Sequence, residues 1–290
     1  DTATTEIYTL SLHELFRSEK PIAGSYADGA AMVEAAKRTG RMLHIQISTL
    51  YRPEVRAAKA IVDGGGLGRI YHARSTGWRR RGRPFVDGYG TASFVKKSVA
   101  GGGALYDMGV YHIAELLYLL GLPKVERVSG KVYQEMDMDE ERRAQSGFDV
   151  EEFGVGFVRF AGGLTLDIIE AWSAHMNRFE GSSLMGSKGG IRLDPFCYYT
   201  TMWDLDLDCA VDLEGMKNRE RLMNRDGGAY RDSQTHWIAA LQGRVPLLPT
   251  AEVALATMLV QEGIYMSDRL GREVGADEVV ASSVSTAVKL

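Results

Sequence analysis

The chain has 290 residues, 45% of them hydrophobic and 25% charged, with a formal net charge of −4. That is an ordinary globular composition, long enough for one large domain or two of usual size. The small net charge gives no sign of a nucleic-acid or membrane partner, and no apolar run approaches the roughly 20 residues of a membrane span.

Two cysteines, Cys197 and Cys209, make neither a disulfide framework nor a metal site, and they fit a reducing, cytoplasmic compartment. The opening DTATTEIYTL lacks the basic region and apolar core of a secretory signal. It also lacks an initiator Met, so the chain is expected to be processed, truncated or part of something longer.

The first segment has an α/β rhythm. Ser25 can cap a helix running to about Lys37, with Asp28 in its first turn and Gly40 as its stop. Met42 to Ile47 reads as a buried strand. Pro53 opens a helix of roughly Glu54 to Val62, closed by Gly64, Gly65 and Gly66. Arg69 to Ser75 reads as the next strand, which makes the pattern that of a parallel α/β layer.

The character then changes. Gly77 to Ala100 is a polar, glycine-containing loop region, and Gly102 opens an apolar helix to Leu120. Val125 to Val132, Phe153 to Phe160, Leu164 to Trp172 and Phe179 to Met185 read as strands. Phe153, Val155 and Phe157 share one strand face and glycines the other, which lets that face pack its backbone closely. Gln134 to Gly147 is charged and reads as a mobile loop, and Lys188-Gly189-Gly190 as a turn. Helices return at about Asp232 to Leu241 and Ala251 to Ser267. The expected organisation is α/β: the end of a doubly wound dinucleotide-binding domain over residues 1–76, then an α+β substrate and oligomerisation domain with a large, mostly antiparallel open sheet over 77–290.

Two stretches carry chemistry. In Glu19-Lys20-Pro21 a lysine precedes a capped helix, where ligands bind in open α/β sheets, and Pro21 restricts its direction. Taken alone, a surface lysine in a strand-to-helix turn explains it as well. In Gly101-Gly102-Gly103-Ala104-Leu105-Tyr106-Asp107-Met108-Gly109-Val110-Tyr111-His112, Asp107 and Tyr111 share a helix face, while Tyr106, Val110, Ile113 and Leu117 form the adjoining apolar stripe. The glycines permit close approach of another backbone or a ligand. Taken alone, this is also a helix start with an acid favoured by the helix dipole.

Together the two stretches resemble the Gfo/Idh/MocA oxidoreductases. The resemblance continues through Ala35-Ala36-Lys37-Arg38-Thr39-Gly40, Leu67-Gly68-Arg69-Ile70, Gly186-Ser187-Lys188-Gly189-Gly190, His236-Trp237-Ile238 and Gly243-Arg244-Val245-Pro246. It implies a Rossmann domain that binds NAD or NADP, and a second domain whose open sheet serves in homo-oligomer contacts. A small-molecule sugar, glycoside or polyol would sit between them. The family lysine maps to Lys20, flanked by Glu19 and Pro21 on the cofactor side, and the family aspartate maps to Asp107. Many members carry His four residues after that aspartate, where this chain has Tyr111. The glucose–fructose oxidoreductase and dihydrodiol dehydrogenase branches carry Tyr. No G-x-G-x-x-G occurs near the start, and Gly64 to Gly68 follows a helix rather than a strand, so the phosphate-binding turn is expected upstream of Asp1.

Hydride transfer to nicotinamide requires the protein to place the substrate and move a proton. Lys20 and Tyr111 are expected to do so with Asp107 assisting, since an adjacent ammonium favours a phenolate. His112 is the alternative base. His175, His236 and Arg79 are candidate substrate contacts, with solvent exposure, packing and a solvated loop as their plain alternatives. Arg79 belongs to a cluster with Arg80, Arg81 and Arg83. Trp172, Trp203 and Trp237 suit a core, although Tyr198, Tyr199 and Trp203 could line an aglycone site. The expected activity is oxidation of a sugar hydroxyl, and the loop around Asp87-Gly88-Tyr89-Gly90 looks like that of glycoside 3-oxidising members. A glucose–fructose or dihydrodiol type enzyme, or a non-catalytic sugar-binding subunit of the same fold, remain the alternatives.

Overall fold

The computed structural model describes residues 15–223 and 225–287. Thr2 to Leu10, expected to be remnants of late Rossmann strands, lie outside the described residues.

β1 (Leu15–Ser18) and β2 (Met42–Ile45) pair in parallel, with Leu15 opposite Met42. The helix Tyr26–Thr39 connects them. Ser25 Oγ accepts the Asp28 amide at 3.2 Å to cap its start, and Gly40 ends it at φ 66°, where a side chain would be strained. The helix Pro53–Asp63 follows with Pro in its first turn.

The third strand of the expected parallel layer goes elsewhere. β3 (Ile70–Trp78) lies in a second sheet with β4 (Val125–Tyr133), β5 (Phe153–Phe160), β6 (Thr165–Ala171), β7 (Ser183–Gly186), β8 (Gly189–Leu193), β9 (Phe196–Met202), β10 (Leu205–Cys209) and β11 (Val274–Gly275). Its nine strands run in the order β10-β9-β8-β7-β3-β6-β5-β4-β11. Only β3 and β6 pair in parallel; the other neighbours are antiparallel. A division after residue 76 would fall inside β3. Periodicity marks a strand but carries no information about which sheet it joins.

Helices Gly109–Leu119 and Thr250–Leu270 cover one face of this sheet. Leu116, Leu117, Val128, Val158, Leu166, Ile168 and Ile264 meet there, none more than 1% exposed. The glycine face of β5 does pack closely: a Cβ on Gly156 would stand 2.4 Å from Ile264 Cδ1. The opposite face carries Phe153, Val155, Phe157 and Ile169, all half-buried.

Three local expectations change. Residues 179–182 are not strand, and β7 begins only at Ser183. Gly189 opens β8 rather than finishing a turn, so the reversal is at Ser187-Lys188. The segment read as a mobile loop contains the helix Glu140–Ser146, which Asp139 caps by accepting the Arg142 amide at 2.8 Å.

Candidate active site

The start of the helix that carries Asp107 is built around a buried acid. Glu151 accepts the amides of Gly103 at 2.9 Å and Leu105 at 3.0 Å and the Tyr265 hydroxyl at 2.7 Å. These contacts satisfy amides that a helix start leaves open. A Cβ on Gly103 would lie 1.9 Å from the Glu151 carbonyl oxygen, and one on Gly102 would lie 2.1 Å from Tyr265 Oη. The triple glycine therefore admits protein atoms at these two positions. The helix is also broken. It runs Ala104–Asp107 and resumes as Gly109–Leu119, with the Tyr111 amide bonding to the Met108 carbonyl at 3.0 Å. The predicted stripe of Tyr106, Val110, Ile113 and Leu117 is buried across the break.

Lys20 enters from the other side, at the carboxyl end of β1 in a turn whose Lys20–Pro21 peptide is cis. Its Nζ donates to Asp107 Oδ1 at 2.9 Å and to the Asp107 carbonyl at 3.0 Å. The same ammonium lies over the Tyr111 ring, 4.6 Å from its centroid. Trp172, fully buried at the end of β6, donates its indole N–H to Asp107 Oδ2 at 3.2 Å, so both carboxylate oxygens are held.

Lys20, Asp107 and Tyr111 line a cleft of about 960 Å³ together with Glu19, Arg79, His112 and Glu115. His112 Nδ1 is 3.0 Å from Glu170 Oε2, and the Ser75 hydroxyl donates to Glu170 Oε1 at 3.1 Å. Burial opposes a charge on this imidazole, but the Glu170 carboxylate outweighs it and holds the pKa up at about 9. Burial also raises the carboxyls of Glu170 and Glu115, the latter to about 7. Glu115 is 2% exposed, and its Oε2 has no hydrogen-bond partner among the described residues.

A smaller pocket of about 290 Å³ opens beside Pro21, Gly24, Phe94 and Gly102, and shares Lys20 and Asp107 with the cleft.

The remaining candidates separate. Arg79 lines the cleft and is held against Tyr89, its Cζ 4.9 Å from that ring. Arg83 is fully buried, paired with Asp87 at 2.9 Å and Glu152 at 2.8 Å, so it binds the loop to the sheet. His175 is exposed beyond β6, and Arg178 and Phe179 form the nearby cleft wall. His236 is fully buried; its Nε2 accepts the Leu248 amide at 2.9 Å, and burial keeps its pKa below the usual histidine value. Tyr198 and Tyr199 line a separate depression of about 810 Å³, and Trp203 is 80% exposed at the β9–β10 turn.

Sequence reading missed Glu115, Glu151 and Glu170. Glu170 did leave a signal: Leu166, Ile168 and Glu170 alternate, which sets an acid on the face that the apolar pair marks as buried. No comparable signal marks Glu151.

Comparison with known proteins agrees with this architecture. Residues 55–192 match the family model described as the GFO/IDH/MocA C-terminal domain. Over that stretch the chain is similar to the GFO/IDH/MocA family. It is 26% identical over 264 residues to the D-glucoside 3-dehydrogenase of Escherichia coli (strain K12), a match over 88% of this chain and 71% of that protein. In fold it is similar to an NAD-binding oxidoreductase from Klebsiella pneumoniae, with a TM-score of 0.70 at 17% identity, over 94% of this chain and 76% of that one. It is similar also to a levoglucosan dehydrogenase solved with NADH and levoglucosan, with a TM-score of 0.69 at 19% identity, over 90% and 73% of the two chains.

Proposed function

We propose that this protein is an oxidoreductase that moves hydride between NAD or NADP and a secondary hydroxyl of a sugar, glycoside or polyol. The observation that carries the reading is the convergence of Lys20, Asp107 and Tyr111 on one cleft from two separate elements. Within this reading we favour a glycoside oxidised at its 3-position, on the likeness to the glucoside 3-dehydrogenase.

The cofactor fits the chemistry of the turn. Glu19, Lys20 and Pro21 follow the carboxyl end of a parallel strand, where open α/β sheets bind ligands. The pocket of about 290 Å³ between that turn and Gly102 has small and apolar walls suited to a flat ring. When bound, the nicotinamide accepts or returns the hydride. The chain's own side chains do the rest. Asp107 anchors the Lys20 ammonium, and that ammonium favours a substrate alkoxide beside it. Lys20 and Tyr111 carry the hydroxyl proton, and Trp172 keeps Asp107 from rotating away.

We assign the part of the chain ahead of Ile70 to the end of a dinucleotide-binding domain and the part from Ile70 onward to the substrate domain, because β3 pairs in the large sheet and a division after residue 76 would cut it. A homo-oligomer formed through the open sheet is part of the proposal, supported by the half-buried Phe153, Val155, Phe157 and Ile169 on the face away from the helices. A cytoplasmic setting is supported by the free Cys197 and Cys209. Among the described residues no helix is long and apolar enough to cross a membrane.

The test is NADH or NADPH formation by the full-length protein across glucosides, free sugars and inositols. The proposal expects reduction with at least one class, fastest with glucosides. Absence of reduction with every class would overturn it.

A further inference from the structure

The cleft floor holds a second polar assembly that Lys20, Asp107 and Tyr111 do not use. His112 follows Tyr111 directly, so its side chain leaves the helix about 100° further round. Its Nδ1 is committed to Glu170, and its side chain remains 24% exposed at the cleft.

The surroundings are shaped for this pair. Glu170 is completely buried, and its second oxygen is satisfied by Ser75 from the neighbouring strand. Gly77, also on that strand, leaves the necessary space: a Cβ there would stand 2.1 Å from the His112 ring and 2.3 Å from Glu170 Oε2. An ion pair in such a place is costly to desolvate and adds little stability over apolar residues of equal volume. A buried ion pair that reaches into a cleft marks a candidate for function.

We propose that His112 is a specificity-determining residue that donates from Nε2 to a substrate hydroxyl next to the reacting carbon, and that Glu170, backed by Ser75, is the positioning residue that fixes it in that role. The inference rests on the oxidoreductase reading and adds a subsite to it.

The charges around the ring agree. Glu170 faces it from β6 and Glu115 from its own helix, both favouring the imidazolium, while Arg52 ahead of the Pro53–Asp63 helix opposes it. Glu54 adds to the field at Glu115. An imidazolium has no free lone pair at neutral pH, so it donates and does not take the alcohol proton. A fixed donor suits recognition, because an analogue lacking the matching hydroxyl leaves it unpaired.

Two measurements on the full-length protein test the assignment. In the first, kcat/KM is taken for methyl β-D-glucopyranoside and its 2-deoxy and 4-deoxy analogues, with wild type, His112→Asn and Glu170→Gln. Wild type should prefer the parent to one analogue by at least about ten-fold. His112→Asn should lose that preference, the parent falling while that analogue holds, and Glu170→Gln should lose part of it. Equal losses for parent and analogues, or no preference in wild type, would overturn the proposal.

The second is an imidazole NMR titration without substrate, tractable with six histidines. The His112 resonance should titrate at least one pH unit lower in Glu170→Gln, and an unmoved titration would overturn the positioning role. This arm needs no turnover. If no sugar is oxidised, the oxidoreductase reading fails while the hold of Glu170 on His112 is still decided.

Discussion

Lys20 Nζ and Asp107 Oδ1 stand 2.9 Å apart although 87 residues separate them along the chain. The contact joins the end of the small parallel sheet to the helix at the mouth of the large one. With Tyr111 under the same ammonium, it makes one site of two elements that would otherwise share only packing.

Removing either partner of the proton-handling pair should stop the chemistry and spare the fold. Lys20→Ala and Tyr111→Phe should each lower turnover by about 10²–10⁴-fold. Circular dichroism and the unfolding midpoint should stay close to wild type, because neither side chain belongs to the apolar core. Loss of helix signal in both variants would show a structural role instead.

Trp172→Phe keeps an aromatic ring, though a smaller one, in a fully buried position and deletes the N–H that holds Asp107 Oδ2. Stability should fall by about 1–3 kcal/mol, from one lost hydrogen bond and the space the smaller ring leaves. The catalytic effect should be larger in kcat than in KM, since the anchor of the Lys20 ammonium is loosened and no substrate contact is removed. Steady-state kinetics with a reactive glucoside checks this.

Gly103→Ala tests the reason for the triple glycine. Its Cβ would lie 1.9 Å from the Glu151 carbonyl, a backbone atom that cannot swing aside. Destabilisation of about 2–4 kcal/mol is expected, read as a lower denaturant midpoint. Gly121→Ala has open space around it, but sits at φ 75° and should lose only about 1 kcal/mol to backbone strain.

The cleft floor also sets how stability depends on pH. The folded His112 binds its proton more tightly than the unfolded chain does, so its stabilising contribution is complete below about 6.5 and disappears as pH rises through about 9. Glu115, raised to about 7 by burial, acts in the same sense between about 4.5 and 7. His44, lowered to about 4 by burial, acts in the opposite sense below about 6.5 and offsets it. Stability should therefore decline from about pH 6.5 to 9, by an amount on the order of 2 kcal/mol. Denaturant titrations at several pH values check this, and Glu170→Gln should flatten the decline.

Local grammar made much of the fold readable. Ser25 and Gly40 bound their helix by capping, and Phe153 to Phe160 shows its strand by alternation and its glycines. The motif around Asp107 could be recognised, as could Lys20, because each lies in a short unusual run. What stayed hidden depends on contacts distant in sequence. β3 joins a sheet whose partners lie about a hundred residues further on, and Glu170 meets His112 across 58 residues. The helix Leu213–Met223 has no fully buried residue, so it carries no strong apolar stripe to read. His236 and Arg83, polar in sequence, are fully buried by partners that no spacing reveals.

The most direct test compares nicotinamide reduction by the full-length wild type and Lys20→Ala with a glucoside at saturating NAD. A wild type that forms NADH, and a variant that stays folded but is at least about a hundred-fold slower, are the results expected here. Equal rates in the two proteins would contradict the role assigned to the Lys20–Asp107–Tyr111 convergence.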